Sequence, residues 1–140
     1  MTTMPTLAQI CAGAQDVVEL VTGVRAAPDV PPESGLTGDV ASYCFPGTGS
    51  VTEITAGDVE GRHTLHLYII TPRRNLRTDY ARLIGLGDTV PRALLNAGHL
   101  GGTVLQINQI RYTFGPLEWG GQQELGWLFE LDVLAGGSLS

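Results

Sequence analysis

Residues 124–133 read ELGWLFELDV and show the clearest strand pattern in the chain. Large apolar side chains occupy its odd positions from Leu125 to Val133, whereas glycine and acidic residues occupy its even positions, with Leu128 the one exception. Such an alternation is typical of a β-strand that has one buried face and one solvated face. The stretch therefore predicts an antiparallel sheet that packs its core on one side.

The segment before this strand predicts its partner, and with it a long C-terminal β-hairpin. A strand is predicted over residues 103–114, but its apolar side chains change from odd to even positions partway along. One inserted residue reconciles the two phases, which predicts a β-bulge near Asn108 or Gln109. A strand of this length spans about 40 Å, so the hairpin tip, residues 115–123, is expected to project from the body.

The first of two predicted helices covers residues 6–21. Its apolar side chains recur at the three- and four-residue spacing of an amphipathic helix. Thr6 is the expected N-cap, and Gln9 three residues later completes a capping box. Gly23 follows the last apolar position and is expected to end the helix.

The second helix is predicted over residues 75–97, with Asn75 as its N-cap. Pro91 is expected to kink or split it near Thr89, because proline lacks the backbone N–H that a helix interior needs. Gly85 and Gly87 weaken the same region, since glycine has a low helix propensity.

The remaining strands complete an α+β prediction. They are expected near residues 24–27, 41–45, 51–55 and 62–71, with turns at 47–50 and 56–61. The sequence thus predicts a single domain over residues 1–140: a mostly antiparallel sheet, two main helices packed on one face and the long C-terminal β-hairpin. The small residues at 135–140 are expected to form a flexible tail.

Charge and composition exclude several classes of function. The 140 residues carry 8 arginines, no lysine and 14 acidic residues, for a net charge of −6. A free-standing nucleic-acid binder is normally basic, because phosphate neutralisation supplies most of its affinity. No apolar run is long enough to cross a bilayer, and the N-terminus does not resemble a secretory signal. Two cysteines alone form neither a disulfide framework nor a zinc site.

Candidate chemistry is confined to a few titratable side chains. His63 and His66 form an HxxH pair with Glu60 nearby, but alternate positions of a strand point to opposite faces, so the two imidazoles are not expected to share a metal ion. No catalytic, metal-binding or cofactor-binding residue is assigned. A small enzyme that uses His63, His66 or Glu60 remains an alternative, as does a ligand-binding or nucleic-acid-binding module that uses Tyr68 and His66.

Two other features indicate contact with other chains. Arg73, Arg74 and Arg77 crowd the start of the second helix, where cations are unfavourable unless they meet carboxylates or phosphates. The glycine-flanked tip of the hairpin carries Leu117, Glu118 and Trp119, and an aromatic residue on a tip suits an interface anchor. The alternatives are a solvated arginine cluster and a Trp119 that folds back over its own core.

The order of these motifs resembles the tail terminator and minor tail proteins of tailed phages with long, non-contractile tails (siphovirus type). The resemblance covers about residues 6 to 134. After the N-terminal helix it is carried by DVPPES (29–34), FPGTGS (45–50), TPRRNL (71–76), GGTV (101–104), RYTFGPLEWGG (111–121) and LGWLFELDV (125–133).

The resemblance implies a structural virion protein without catalytic residues. It implies a homo-oligomeric ring, typically a hexamer, that caps the tail tube and joins it to the neck or connector protein. Such a ring would be assembled in the host cytoplasm, would reside in the virion and would let DNA pass through its lumen without sequence-specific binding. The net charge adds a second hypothesis, that an acidic lumen keeps the passing DNA from adhering. A neck stopper or a baseplate-proximal ring is the alternative within the virion.

Overall fold

The computed structural model describes residues 3–21, 40–72, 76–119 and 122–138, with the backbone alone at 72, 76, 118, 119, 122 and 123. In chain order the elements are α1 (Leu7–Glu19), β1 (Ala41–Thr55), β2 (Asp58–Pro72), α2 (Leu76–Leu83), α3 (Leu86–Ala97), β3 (Gln106–Trp119) and β4 (Gln122–Ser138). The four strands form one sheet in the order β1-β2-β4-β3, and each neighbouring pair is antiparallel. The predicted α+β class is confirmed.

The alternation in β4 produces the core as predicted. The odd-numbered residues of β2 and β4 pack against the helices, and Phe129 and Leu131 among them are fully buried. The helices contribute apolar residues from one side of each, namely Ile10, Ala14 and Val18 of α1, Leu83 of α2, and Leu86, Val90 and Leu94 of α3. Burial of these side chains is the main force that holds the helices to the sheet.

The capping box at the start of α1 is confirmed. The Gln9 N–H donates to the Thr6 hydroxyl at 3.2 Å, and the Thr6 N–H donates to Gln9 Oε1 at 2.8 Å. These bonds satisfy two donors that the first turn of a helix leaves without partners. The expected stop at Gly23 and the strand near 24–27 lie outside the described residues.

The helix predicted over residues 75–97 was expected to be kinked or split near Thr89; it is split into two helices, but the break lies earlier than expected. α2 ends at Leu83 and α3 begins at Leu86, whereas Pro91 lies inside α3. Pro91 lies in the second turn of α3, where its missing N–H removes only one backbone hydrogen bond. The expected N-cap Asn75 lies outside the described residues. No described helix has the length and apolar character needed to cross a membrane.

The first hairpin is longer than predicted. β1 is one continuous strand where two strands and a turn at 47–50 were expected, and the glycines produce only a register shift between Pro46 and Gly49. The turn is likewise shorter than the predicted 56–61, since β2 begins at Asp58. Gly57 adopts a left-handed φ of 84°, which glycine reaches without steric cost.

The C-terminal hairpin forms with the predicted bulge, since the register shifts between Ile107 and Gln109. Two details differ from the prediction. Leu117 is half-buried against its own sheet, so the hairpin does not project at that position. Residues 135–138 are not a flexible tail, because they continue β4 and pair with β2 as far as Ser138 opposite Asp58.

Candidate functional site

The histidines of β2 lie on opposite faces of the sheet. His63 pairs with Val133 and is buried on the helix side, whereas His66 pairs with Glu130 on the other side. Burial lowers the pKa of His63 below its ordinary value, because desolvation disfavours the charged imidazolium. In the part of the chain that the structure describes, no three His, Cys, Asp or Glu side chains could hold a metal ion together.

Glu60 does not join the histidines either. Its carboxylate accepts a hydrogen bond of 2.9 Å from Arg62 Nε, two residues along the same strand. The Arg62 side chain is 68% exposed, so this pair is a surface ion pair of small energetic weight. The side chains considered for a small enzyme are therefore dispersed over both faces and the end of β2.

A charged network joins three strands on the face away from the helices. Arg111 of β3 donates to both carboxylate oxygens of Asp132 on β4, and to Glu130 at 3.4 Å. Thr64 of β2 donates to Asp132 Oδ1 at 2.7 Å. The bonds from Arg111 lower the pKa of Asp132, and the Thr64 bond acts in the same direction. The network links β2, β4 and β3 close to the bulge in β3.

The packing of α1 on β1 brings the two cysteines together. They lie beside a cavity of about 590 Å³ between these two elements. Cys11 of α1 and Cys44 of β1 are both free, buried and part of its lining. A hydrogen bond between the two thiols lowers the pKa of Cys11 and raises that of Cys44. The sequence predicts burial for Cys11, but its separation of 33 positions from Cys44 carries no signal that the two meet.

The outer edge of β1 is the first of two open sheet edges. β1 is an edge strand, and no other strand among the described residues pairs with its outer side. From Pro46 onward every residue of β1 is exposed, including Val51 at 58% and Ile54 at 61%. Leu7 of α1, 42% exposed, lines a groove with Val51. We call this surface the β1 edge.

The outer edge of β3 is the second open edge, and it is rich in aromatic side chains. Tyr112 and Leu105 are 68% and 57% exposed, and Tyr80 of α2 is 47% exposed. The Tyr80 ring lies 5.9 Å from Phe114, and the Tyr112 ring lies 5.6 Å from Trp127, both edge to face. These contacts fix the exposed rings beside β3. We call this surface the β3 edge.

The two edges differ in the sign of their charges. The exposed charged side chains of α1 and β1 are all acidic, namely Asp16, Glu19 and Glu53. The exposed charged side chains of α2 and of the described part of β3 are all arginines, namely Arg77, Arg82 and Arg111. Asp79 of α2 is buried and lies 3.9 Å from Arg82. Arg111 and Arg82 pair with carboxylates of their own chain, so the contrast in charge between the two sides is carried by Glu53 on β1 and Arg77 on α2.

The predicted contact residues are only partly covered by the structure. Arg77 is exposed on α2, whereas Arg73 and Arg74 lie outside the described residues. Glu118 and Trp119 belong to β3 by their backbone, and their side chains lie outside the description. Leu117 packs against the cluster formed by Tyr43 and Ile70 on the face away from the helices.

Sequence reasoning missed the β1 edge. Val51 and Ile54 follow a glycine-rich stretch that resembles a turn, so the sequence did not predict one long, exposed strand here. The available signal was two large apolar residues, three positions apart, in a segment otherwise made of small and polar ones. Exposed apolar residues grouped in this way mark interaction surfaces.

Comparison with known proteins assigns no family to the chain. It matches no family model and no curated protein. Its function is therefore inferred from the geometry of its own residues and from the sequence pattern described above.

Proposed function

We propose that this chain is a structural subunit that associates with copies of itself into a closed ring, of the type that ends the tail tube of a long-tailed phage and joins it to the neck. One observation carries the proposal: both edge strands of the sheet, β1 and β3, are long, uncovered within the described residues and lined with exposed apolar side chains. Natural proteins normally protect such edges, because they are templates for pairing with another chain.

The architecture suits a subunit that works by shape. The helices cover one face of the sheet and bury an extended apolar core there, which keeps the edge strands in place. On the other face the Arg111–Asp132 pair and the bond from Thr64 link β3, β4 and β2. A rigid sheet of this kind can bind one copy at its β1 edge and another at its β3 edge. Repeated contacts of one kind then close into a ring when the rotation between copies allows it.

The proposed position in the virion rests on the sequence resemblance to tail terminators. A ring at this position would have two axial partners, the tail-tube protein on one side and a neck or connector protein on the other. The net charge of −6 per chain supports a lumen that DNA crosses without adhering, since like charges repel. A neck stopper or a baseplate-proximal ring would share this geometry and differ in its axial partners.

The proposal is tested by measuring mass against concentration. We expect native mass spectrometry and light scattering to give a single closed oligomer, either alone or after addition of purified tail-tube protein from the same virus. Electron microscopy should show rings at the end of assembled tubes. A chain that stays monomeric at every concentration and does not bind tube protein would overturn the proposal, and rings at the distal end would favour the baseplate-proximal alternative.

Trp119→Ala provides a second test, because this residue is expected to contact a neighbouring copy. The variant should assemble less completely while its circular dichroism and unfolding temperature stay close to those of the wild type. Leu95→Lys is the surface control, since Leu95 is exposed and belongs to α3 and not to an edge strand. An unchanged ring population for Trp119→Ala would remove this residue from the interface.

A further inference from the structure

We infer that copies of this chain join head to tail by strand addition, so that the β1 edge of one copy pairs with the β3 edge of the next and the sheet continues across the interface. The inference rests on the proposed ring function and names the partner of each edge. Its basis is threefold: the direction of the strands, the apolar residues on both edges and the sign of their charges.

Strand direction permits this contact without any rearrangement. Each strand of the sheet is antiparallel to its neighbour, so in the order β1-β2-β4-β3 the two outer strands run in opposite directions. A second copy placed alongside in the same orientation brings its β1 next to β3 of the first copy, and the two strands are antiparallel. The backbone groups on both edges then form the same ladder as within the sheet.

The two edge strands are also matched in length and in apolar content. β1 has 15 residues and β3 has 14, so either offers a ladder of about 45 Å. The β1 edge brings exposed Leu7, Val51 and Ile54, and the β3 edge brings exposed Tyr80, Leu105 and Tyr112. Exposed aromatic rings beside a free strand are the residues expected to anchor an interface core.

Charge selects the head-to-tail arrangement over a twofold one. A twofold pairing of two β1 edges would bring Glu53 towards its own copy, and a twofold pairing of two β3 edges would bring Arg77 towards its own copy. A head-to-tail pairing places the acidic side of one copy against the basic side of the next. Opposite charges steer association and like charges oppose it, so both twofold contacts are disfavoured.

The test uses two variants that each block one edge, Val51→Lys on β1 and Tyr112→Lys on β3. Charged side chains, lysine above all, are one means by which natural edge strands prevent pairing, and both positions are exposed, so the monomers should fold. We expect each variant alone to remain monomeric at concentrations at which the wild type is fully assembled. An equimolar mixture should form a one-to-one heterodimer and grow no further, because each variant keeps one working edge.

The outcomes separate this inference from the proposed function. If either variant alone assembles as well as the wild type, or if the mixture forms no heterodimer, head-to-tail strand addition is overturned while a ring seen for the wild type still stands. If the wild type itself never assembles, the proposed function and the inference both fail. Leu95→Lys should assemble normally, and its failure to do so would also contradict the assignment of the contact to the strand edges.

A second pair of variants covers the case in which a first variant does not fold, as judged by circular dichroism. Ile54→Lys and Leu105→Lys change other exposed residues of the same two edges. The same pattern is expected from them: monomers alone and a one-to-one heterodimer on mixing. Assembly of either one alone to the extent of the wild type would again overturn the inference.

Discussion

The indole Nε1 of Trp127 donates a hydrogen bond of 2.8 Å to the carbonyl oxygen of Leu83, the last residue of α2. In a continuous helix that oxygen would accept from the N–H of Gly87, but this N–H donates to the carbonyl of Ile84 at 3.3 Å. Trp127 of β4 therefore satisfies the carbonyl that the helix break exposes. A buried side chain of the central sheet fixes the point at which α2 stops.

Trp127→Phe should destabilise the fold, because it leaves the Leu83 carbonyl without its donor. A buried acceptor that loses its partner costs about 1–3 kcal/mol, and the smaller ring adds a packing loss. Urea unfolding followed by circular dichroism measures the change in the free energy of unfolding. A variant within 0.5 kcal/mol of the wild type, taken as about the scatter of a neutral surface substitution, would show that this bond is not important for stability.

Two glycines at the same helix break should respond in opposite directions to alanine. A Cβ at Gly87 would lie 2.5 Å from the Trp127 ring, whereas a Cβ at Gly85 would meet nothing within 4 Å. Gly87→Ala is therefore expected to lower the free energy of unfolding by about 1–3 kcal/mol through overpacking. Gly85→Ala, whose backbone is already helical, should raise it by about 0.4–1 kcal/mol. Equal effects of the two changes in denaturant unfolding would contradict this packing argument.

The Asp132 carboxylate should make stability depend on pH in the acid range. Its pKa is lowered in the folded chain, chiefly by hydrogen bonds from Arg111. A lowered pKa contributes stability above the unfolded-state value of about 3.9, and that contribution is lost as the pH falls through the folded-state value. Asp132→Asn should therefore be less stable than the wild type at pH 7, and the difference should vanish near pH 2. A difference that is constant with pH would disprove this origin.

His63 should also make stability depend on pH, in a range above the one in which Asp132 titrates. Because burial lowers its pKa, the unfolded chain binds a proton more readily than the folded one. Stability is then fully present above the ordinary histidine pKa of about 6.5 and falls as the pH drops below it. His63→Gln should flatten the decline between pH 7 and pH 5 in thermal unfolding, with His66→Gln as the matched substitution on the opposite face. Parallel curves for wild type and His63→Gln would exclude His63 as the cause.

The thiol pair should show unequal reactivity. Because the hydrogen bond with Cys44 lowers the pKa of Cys11, the thiolate, which is the reactive form, is favoured at Cys11 over Cys44. Iodoacetamide is therefore expected to label Cys11 before Cys44, as followed by peptide mass spectrometry. Cys44→Ala should slow the labelling of Cys11 by removing the donor. Faster labelling of Cys44 in the wild type would contradict this assignment, because it would show that the thiolate is favoured at Cys44.

Features that depend on neighbours in sequence were predictable. The capping box needs only Thr6 and Gln9, and the bulge next to Gln109 is visible in the phase change of a single strand. The break between α2 and α3 was misplaced because its decisive partner, Trp127, lies 44 residues away. Likewise the glycines near Gly49 resemble a turn until pairing with β2 carries the strand through them.

Sequence alone is enough to predict the α+β class, the buried face of β4 and the helical register of α1, because each follows from a periodicity of 2 or 3.6 residues that local burial imposes. The tertiary structure was needed to locate the division of the second helix, the contact between Cys11 and Cys44, and the strand edges that no described strand covers. Those features depend on contacts between segments distant in the chain, and strand order, which sets the free edges, has no local signature in the alternation of side chains.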